Sequence, residues 1–287
     1  MGCAIGKTAS AEMALCTSVV SYCEPAHEIA KLLSTLTLAL EEALTLFPSL
    51  VTSVLIVDNR PETHTISINE LDFDQTRLSN VAGTVRVIHG HGNIGYGSAQ
   101  NLAFKACESR YHLFLNPDVE IDRKAILVGL QYLQENQDVG LVSPNARNRN
   151  VGKIYLCKRH PSVLDFLLRG FAPSWLGRKF ANRNSYYQMA DLNESEPTKS
   201  ITIASGCFML CDSKTISQIS GFDPVFFLYF KDFDLSIRLR SHKKIAYLPS
   251  MSIIHSGGNT ARKGMRHIFF FIVSCIKYFN KHGWRWF

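Results

Sequence analysis

Apolar residues recur with two different periods along the chain, and the way those periods alternate predicts the architecture. Residues 15–22 (LCTSVVSY) are a short, nearly continuous apolar run closed by Cys23-Glu24-Pro25, which reads as a buried strand with a breaker behind it. Over residues 27–47 the positions Ile29, Leu32, Leu33, Leu36, Leu40, Leu44 and Phe47 keep helical spacing until Pro48 stops the run. Residues 53–57 are a second strand ending in Asp58-Asn59. Strand, helix, strand in that order demands a parallel pair joined by a right-handed crossover.

The alternation continues. A third strand at 84–88 leads through the glycine-rich loop HGHGNIGYGS into a helix over 99–107, and the stretch LFLNPDVEID, 113–122, carries a buried strand straight into Asn116-Pro117-Asp118. A helix over 123–135 and a strand over 139–142 follow. From 146 to 200 the pattern loosens into Lys158-Arg159-His160-Pro161, an apolar patch at 163–171 and a polar tract, as expected of a lid or substrate loop. Order returns with a strand over 201–212 interrupted by Gly206, then the aromatic run FFLYFKDFDLSIRLR over 226–240, a strand over 244–248 and an apolar run over 251–255 that ends at Ser256-Gly257-Gly258. The expectation is an α/β protein, a mixed, mostly parallel sheet flanked by helices. An extension over 1–14 precedes it, two halves meet near 145–146, and an amphipathic helical tail runs over 261–287.

Composition narrows the class. The 287 residues are 46% hydrophobic and 19% charged, as in a folded globular protein. A net charge of +7 suits nucleic acid, an anionic membrane or an anionic small substrate, and the basic residues gather late, from Arg238 and Arg240 to Lys281 and Arg285. Eight cysteines show no CxxC pair and sit partly in apolar runs, which reads as reduced and cytosolic. Gly2 lacks the Ser or Thr at position 6 that a myristoylation signal needs, and no long apolar signal core follows it. The apolar run at 267–276 falls short of the ~20 residues that span a bilayer.

Chemistry collects at strand ends. In an open α/β sheet the ligand crevice lies beyond the carboxyl ends of the strands, which is where Asp58 and Asp118 fall. Asp118 can ligate a metal or simply turn the chain. Asp58 can accept hydrogen bonds from a nucleobase or ribose, or cap a turn; Tyr22 can stack on a base or pack in the core. The glycine loop suits phosphate approach, yet it is neither a Walker A loop nor a G-x-G-x-x-G fingerprint. Asp232 and Asp234 open a helix beside heavy aromatic burial, as caps or as a general base.

Taken in order, VVSYCEP with IVDN, HGNIGYGSAQN, LFLNPDVEID, and SGCFML with GFDPVFFLYFKDFDLSIRL and IIHSGG resemble the inverting family-2 glycosyltransferases of the GT-A fold. The branch they most resemble is the bacterial rhamnosyltransferase-like enzymes of surface-polysaccharide, lipopolysaccharide and O-antigen assembly. The resemblance covers about residues 15–260. It implies a Rossmann-like nucleotide-sugar-binding half over 15–145 and an acceptor-binding, catalytic half over 146–260. It also implies Asp58 on the base or ribose with Tyr22 beside it, and Asn93, Gly95 and Tyr96 lining the nucleotide pocket. Asn116-Pro117-Asp118 stands where the family has its D-x-D motif, so Asp118 would bridge Mg²⁺ or Mn²⁺ to the diphosphate, with His255 near the diphosphate or metal. Ser205 and Gly206 would border donor sugar and acceptor, and Asp232 would be the general base on the acceptor hydroxyl.

One position departs from the family: Lys231 precedes Asp232 where an acid is usual, and a nearby ammonium favours the ionised carboxylate and weakens it as a base. The expected partners are a dTDP- or UDP-sugar, a saccharide or lipid-linked glycan, and a membrane surface reached through the basic, aromatic tail, but no nucleic acid. The expected location is cytoplasmic, peripheral on the inner face of the cell membrane. A rival nucleotidyltransferase would want a basic phosphate loop near the N-terminus, where Glu24 and Pro25 stand instead. A second rival, a sugar-nucleotide or glycan-binding pseudoenzyme, is motivated by Lys231.

Overall fold

The computed structural model describes residues 13–61, 65–150, 152–170, 173–256 and 265–287, so most of the expected N-terminal extension and Gly257-Gly258 lie outside the described residues. The first apolar run becomes β1 (Ala14–Ser21), and the helical stripe becomes α1 (Ala26–Leu46), whose Ile29, Leu32, Leu33, Leu36 and Leu40 are buried. Then β2 (Val51–Asp58) pairs parallel to β1 with Ser21 opposite Asp58. After α2 (Gln75–Val81), β3 (Thr84–Ile88) adds parallel to β2. The chain then reverses its direction of growth: α3 (Tyr96–Ala106) carries it back, and β4 (Tyr111–Leu115) joins the opposite side of β1. A parallel sheet whose growth reverses splays its connections apart at the carboxyl ends, which opens a crevice beyond β1 and β4.

The second half completes the same sheet. Its elements are β5 (Val119–Ile121), α4 (Ala125–Glu135), β6 (Val139–Asn148), β7 (Gly152–Ile154), β8 (Cys157–Lys158), α5 (Val163–Gly170), α6 (Ser174–Lys179), α7 (Ala181–Tyr187), β9 (Ile203–Ala204), β10 (Phe208–Asp212), α8 (Ser213–Gln218), α9 (Lys231–Leu239), β11 (Lys244–His255) and α10 (Met265–His282). The sheet order is β3-β2-β1-β4-β10-β6-β11-β5. Because β10 lies antiparallel between β4 and β6, the two halves share one mixed sheet.

Three local differences from the sequence reading have physical causes. The run 201–212 is two strands in two sheets: β9 pairs with β8, β10 enters the main sheet, and Ser205–Cys207 crosses between them. The runs 244–248 and 251–255 are one strand, β11, with a register shift between Leu248 and Ser252 around Pro249, which has no N–H for the ladder. The loosened tract 146–200 holds β7, β8 and three short helices, each too brief to display a period.

Candidate active site

The carboxyl edge of β1, β2 and β4 gathers the first group. Tyr22 follows β1 and is 44% exposed. Asp58 ends β2, fully buried, and its oxygens are engaged within its own loop: the Arg60 amide and guanidinium donate at 3.0–3.3 Å and the Ile66 amide at 2.6 Å. Burial alone would raise this carboxyl; the hydrogen bonds from Arg60 and Ile66 outweigh it and hold the group below its ordinary value. Next to it, Asn59 donates to the Gly95 carbonyl at 3.4 Å and its amide to Ser21 O at 2.8 Å, so the β2 end is tied to the glycine loop.

Asn93 stands exposed and accepts the Gly95 amide at 3.1 Å. Gly95 has φ +84°, and an added Cβ would lie 2.6 Å from the Phe227 carbonyl oxygen, so only glycine lets the chain turn into α3 this close to the 227 segment. That turn delivers Tyr96, whose amide donates to the same Phe227 carbonyl and whose hydroxyl donates to the Gly206 carbonyl at 3.0 Å. Burial pushes the Tyr96 phenol far upward, so it stays a donor.

Asn116 follows β4, and its amide donates to Cys207 O at 2.9 Å, joining that turn to the Ser205–Cys207 crossing. Ser205 is held there by its own amide on Leu156 O at 2.9 Å. Beyond Asn116, Asp118 Oδ1 lies 3.3 Å from His255 Nδ1, because β11 ends beside β5 with His255 opposite Val119. An oxygen and an imidazole nitrogen thus converge at one point. Among the described residues no group of three His, Cys, Asp or Glu side chains does so. Two protein ligands are enough for Mg²⁺ or Mn²⁺, which keeps waters and takes further oxygens from substrate phosphate, so the pair fits such an ion.

The second carboxylate arrives from α9. Phe230 precedes the helix at φ +65°, a left-handed conformation costly for a bulky residue, and its ring is locked among Phe166, Phe233, Phe271 and Tyr278. This bend aims Asp232 at the Ser205–Cys207 crossing, where its Oδ2 accepts the Gly206 amide at 2.9 Å. Lys231 places its ammonium over the Tyr96 ring, 4.3 Å from the centroid. A cavity of about 230 Å³ opens at Asp232 and Lys231, walled by Phe166, Tyr229, Phe230 and Phe271. Both Asp118 and Asp232 push up the Tyr96 phenol, and both push up the Cys207 thiol, which burial chiefly raises to about 12; the two carboxylates therefore share one neighbourhood.

The structure separates the two acids that spacing alone left equivalent. Asp234 is fully buried, bound by Arg238 at 2.7 Å, Lys281 at 2.6 Å and His282 at 2.8 Å. It fastens α10 to α9 and does not face the cavity.

Two further residues were missed in the sequence. Gln100 lies fully buried on α3 and donates to the Tyr96 hydroxyl at 3.0 Å. Its signal was a polar residue on the same helical face as Ala103 and Tyr96. Lys158 sits on β8 opposite Ile203; burial, aided by Arg169, lowers its ammonium to about 7, while Asp232 and Cys207 pull it the other way, and it donates to the Tyr155 carbonyl.

Comparisons with known proteins bear on the family and the fold. The family model described as glycosyl transferase family 2 matches residues 19–216. The N-acetylglucosaminyl-diphospho-decaprenol L-rhamnosyltransferase of Mycobacterium tuberculosis is 28% identical over 200 residues, 64% of this chain and 63% of that protein. The rhamnosyltransferase WbbL of Escherichia coli K12 is 23% identical over 176 residues, 57% of this chain and 61% of that one. The matches thus span less than two thirds of these relatives. Among solved structures, S. aureus TarS 1–349 superposes with TM-score 0.52 at 14% identity, over 85% of this chain and 60% of that one, and its complex with UDP gives the same score over 87% and 62%. The shared architecture is the GT-A fold, and the chain belongs to glycosyl transferase family 2.

Proposed function

We propose that this protein is a metal-dependent, inverting glycosyltransferase. It moves a sugar, rhamnose by analogy with its relatives, from a dTDP- or UDP-sugar to a saccharide or lipid-linked glycan in bacterial surface-polysaccharide synthesis. The observation that carries this reading is the pairing, across Tyr96, of a carboxylate–imidazole couple (Asp118 and His255) with a separately held carboxylate (Asp232) at the mouth of a cavity.

Each residue then has a task. Tyr22, Asp58 and Asn93 border the nucleoside end, with Asp58 and Arg60 shaping that loop, while Gly95 and Asn116 let backbone approach the diphosphate. Ser205 and Gly206 border the sugar. Asp232 takes the proton from the acceptor hydroxyl as that oxygen bonds to the anomeric carbon, and the bond to the nucleoside diphosphate breaks on the opposite face, inverting the centre. Asp118 and His255 would hold Mg²⁺ or Mn²⁺, which offsets charge on the leaving diphosphate when bound. Lys231, resting on the Tyr96 ring, supplies a further positive charge beside that site.

Calorimetric titration with UDP, dTDP and GDP, each with and without Mn²⁺, is the direct test. One nucleotide should bind, and only with metal. Asp118→Ala should weaken that binding by roughly the tenfold to hundredfold that disturbing a metal's ligand shell costs. Metal-independent binding, or none, would sink the assignment of Asp118.

The membrane reading rests on α10. Its inner residues Phe271, Tyr278 and Phe279 pack against Phe166 and Phe230, whereas Met265, Phe269, Ile272 and Ile276 form an exposed stripe down the other side. Trp284, Trp286 and Phe287 are exposed beyond it. After Asp234 the chain has ten Lys or Arg residues and no Asp or Glu. Among the described residues no helix is long and apolar enough to cross a membrane. An apolar stripe in an acid-free, basic segment suits the anionic inner face of the cell membrane. The protein should therefore sediment with phosphatidylglycerol vesicles and much less with phosphatidylcholine ones. Replacing Phe269 and Ile272 together by Ser should cut that binding at least tenfold, since each buried apolar side chain is worth about 1.5–3 kcal/mol.

A further inference from the structure

Behind the site, a file of hydrogen bonds runs from the core to Asp232, and beside it Gln100 Nε2 also donates to the Ser18 carbonyl at 3.4 Å. The file begins at His112 on β4, fully buried, whose imidazole burial pushes down to about 3 and so keeps neutral. His112 Nε2 lies 2.8 Å from Ser18 Oγ on β1. Ser18 Oγ donates to Gln100 Oε1 at 2.5 Å, so its lone pair receives the His112 N–H, which fixes the tautomer. Gln100 Nε2 donates to the Tyr96 hydroxyl at 3.0 Å, and that hydroxyl donates to the Gly206 carbonyl at 3.0 Å. The Gly206 amide then donates to Asp232 Oδ2 at 2.9 Å.

A buried amide side chain contributes little net stability once satisfied, and an apolar residue of similar shape can replace such a pair at small cost. What apolar residues cannot do is set direction. The carboxamide presents its N–H₂ to Tyr96, which leaves the phenolic proton only one use, the Gly206 carbonyl. We propose that Gln100 and Tyr96 are positioning residues for Asp232: they pin the Ser205–Cys207 crossing so that its amide holds Oδ2 and leaves Oδ1 turned to the acceptor. The Tyr96 ring has a separate task, carrying the Lys231 ammonium on its face. Hydroxyl and ring are thereby separable by substitution. This inference rests on the reading of Asp232 as the base.

The experiment uses full-length protein labelled with ¹⁵N-glycine, in which Gly206 is one of 18 glycines. Hydrogen exchange at the Gly206 amide is followed alongside nucleotide affinity and turnover of the nucleotide-sugar, to acceptor or to water. Tyr96→Phe keeps the ring and deletes the hydroxyl; Gln100→Leu deletes the donor. Each should speed exchange at Gly206 selectively and lower kcat about tenfold, the scale of one hydrogen bond of ~1.4 kcal/mol, with nucleotide affinity unchanged in Gln100→Leu, whose side chain lies behind the pocket. The double variant should be no slower than the worse single one, and neither change should slow an Asp232→Asn background. Gln100→Glu tests polarity without loss of shape: a carboxylate only accepts, draws the Tyr96 hydroxyl away from Gly206 and should mimic Tyr96→Phe. Unchanged exchange at Gly206, or effects of the two substitutions that multiply, would overturn the proposal. Faster exchange at Gly206 with full turnover would instead remove Asp232 from the role of base.

Discussion

Asp232→Asn is expected to lower sugar transfer about a thousandfold while nucleotide affinity changes less than about twofold, because a positioned general base contributes some 10²–10⁴ in rate. The amide has the carboxylate's shape and can still accept the Gly206 N–H, so the crossing stays in place. It cannot take the acceptor proton. In the proposed reading the nucleotide is held at the glycine loop and the Asp118–His255 pair, which the substitution does not touch. Steady-state turnover and calorimetry on one preparation check both halves, and wild-type turnover in the variant would place the base elsewhere. The Lys231 ammonium rests over the Tyr96 ring, 4.3 Å from its centroid, and the substitution leaves that charge unchanged.

The sequence made the sheet legible where burial was continuous. β1, α1 and β2 declared themselves because strand cores and the α1 stripe are nearly continuous in apolar residues, and the polar residues that follow β2 and β4 then mark the crevice edge. The tract 146–200 was opaque because β7 and β8 are three and two residues long, below any period. Asp58 illustrates a different obscurity: its main partner Arg60 lies two residues on, but the Ile66 amide reaches it only because the intervening loop folds back. Asp232 and Asp234 could not be told apart by spacing, since both open the same helix; the docking of α10 decides which one is sealed from solvent. Gln100 was legible in principle, as a polar side chain on a helical face otherwise committed to the core.

Asp234→Ala should have the largest effect on stability, a loss of about 3–5 kcal/mol in unfolding free energy, the cost of leaving buried charges without their partner. The carboxylate is fully buried and serves three groups at once: the Arg238 guanidinium on its own helix, and the Lys281 ammonium and His282 imidazole on α10. Arg238 also caps the Ile219 and Gly221 carbonyls, and Lys281 reaches Asp223, so the loss spreads into the 219–223 turn. Lys281→Met should cost much less, because Lys281 is one-third exposed and water can replace its partner. Denaturant midpoints for the two variants measure the difference, and an unchanged midpoint for Asp234→Ala would mean α10 is held by its aromatic face alone. The same variant, assayed well below its melting temperature, should keep most of its turnover, since Asp232 is held by the Gly206 amide and the aromatic face of α10, Phe271 and Tyr278, still packs on Phe230. Two carboxylates two residues apart would then divide cleanly, one setting the rate of transfer and the other holding the C-terminal helix in place.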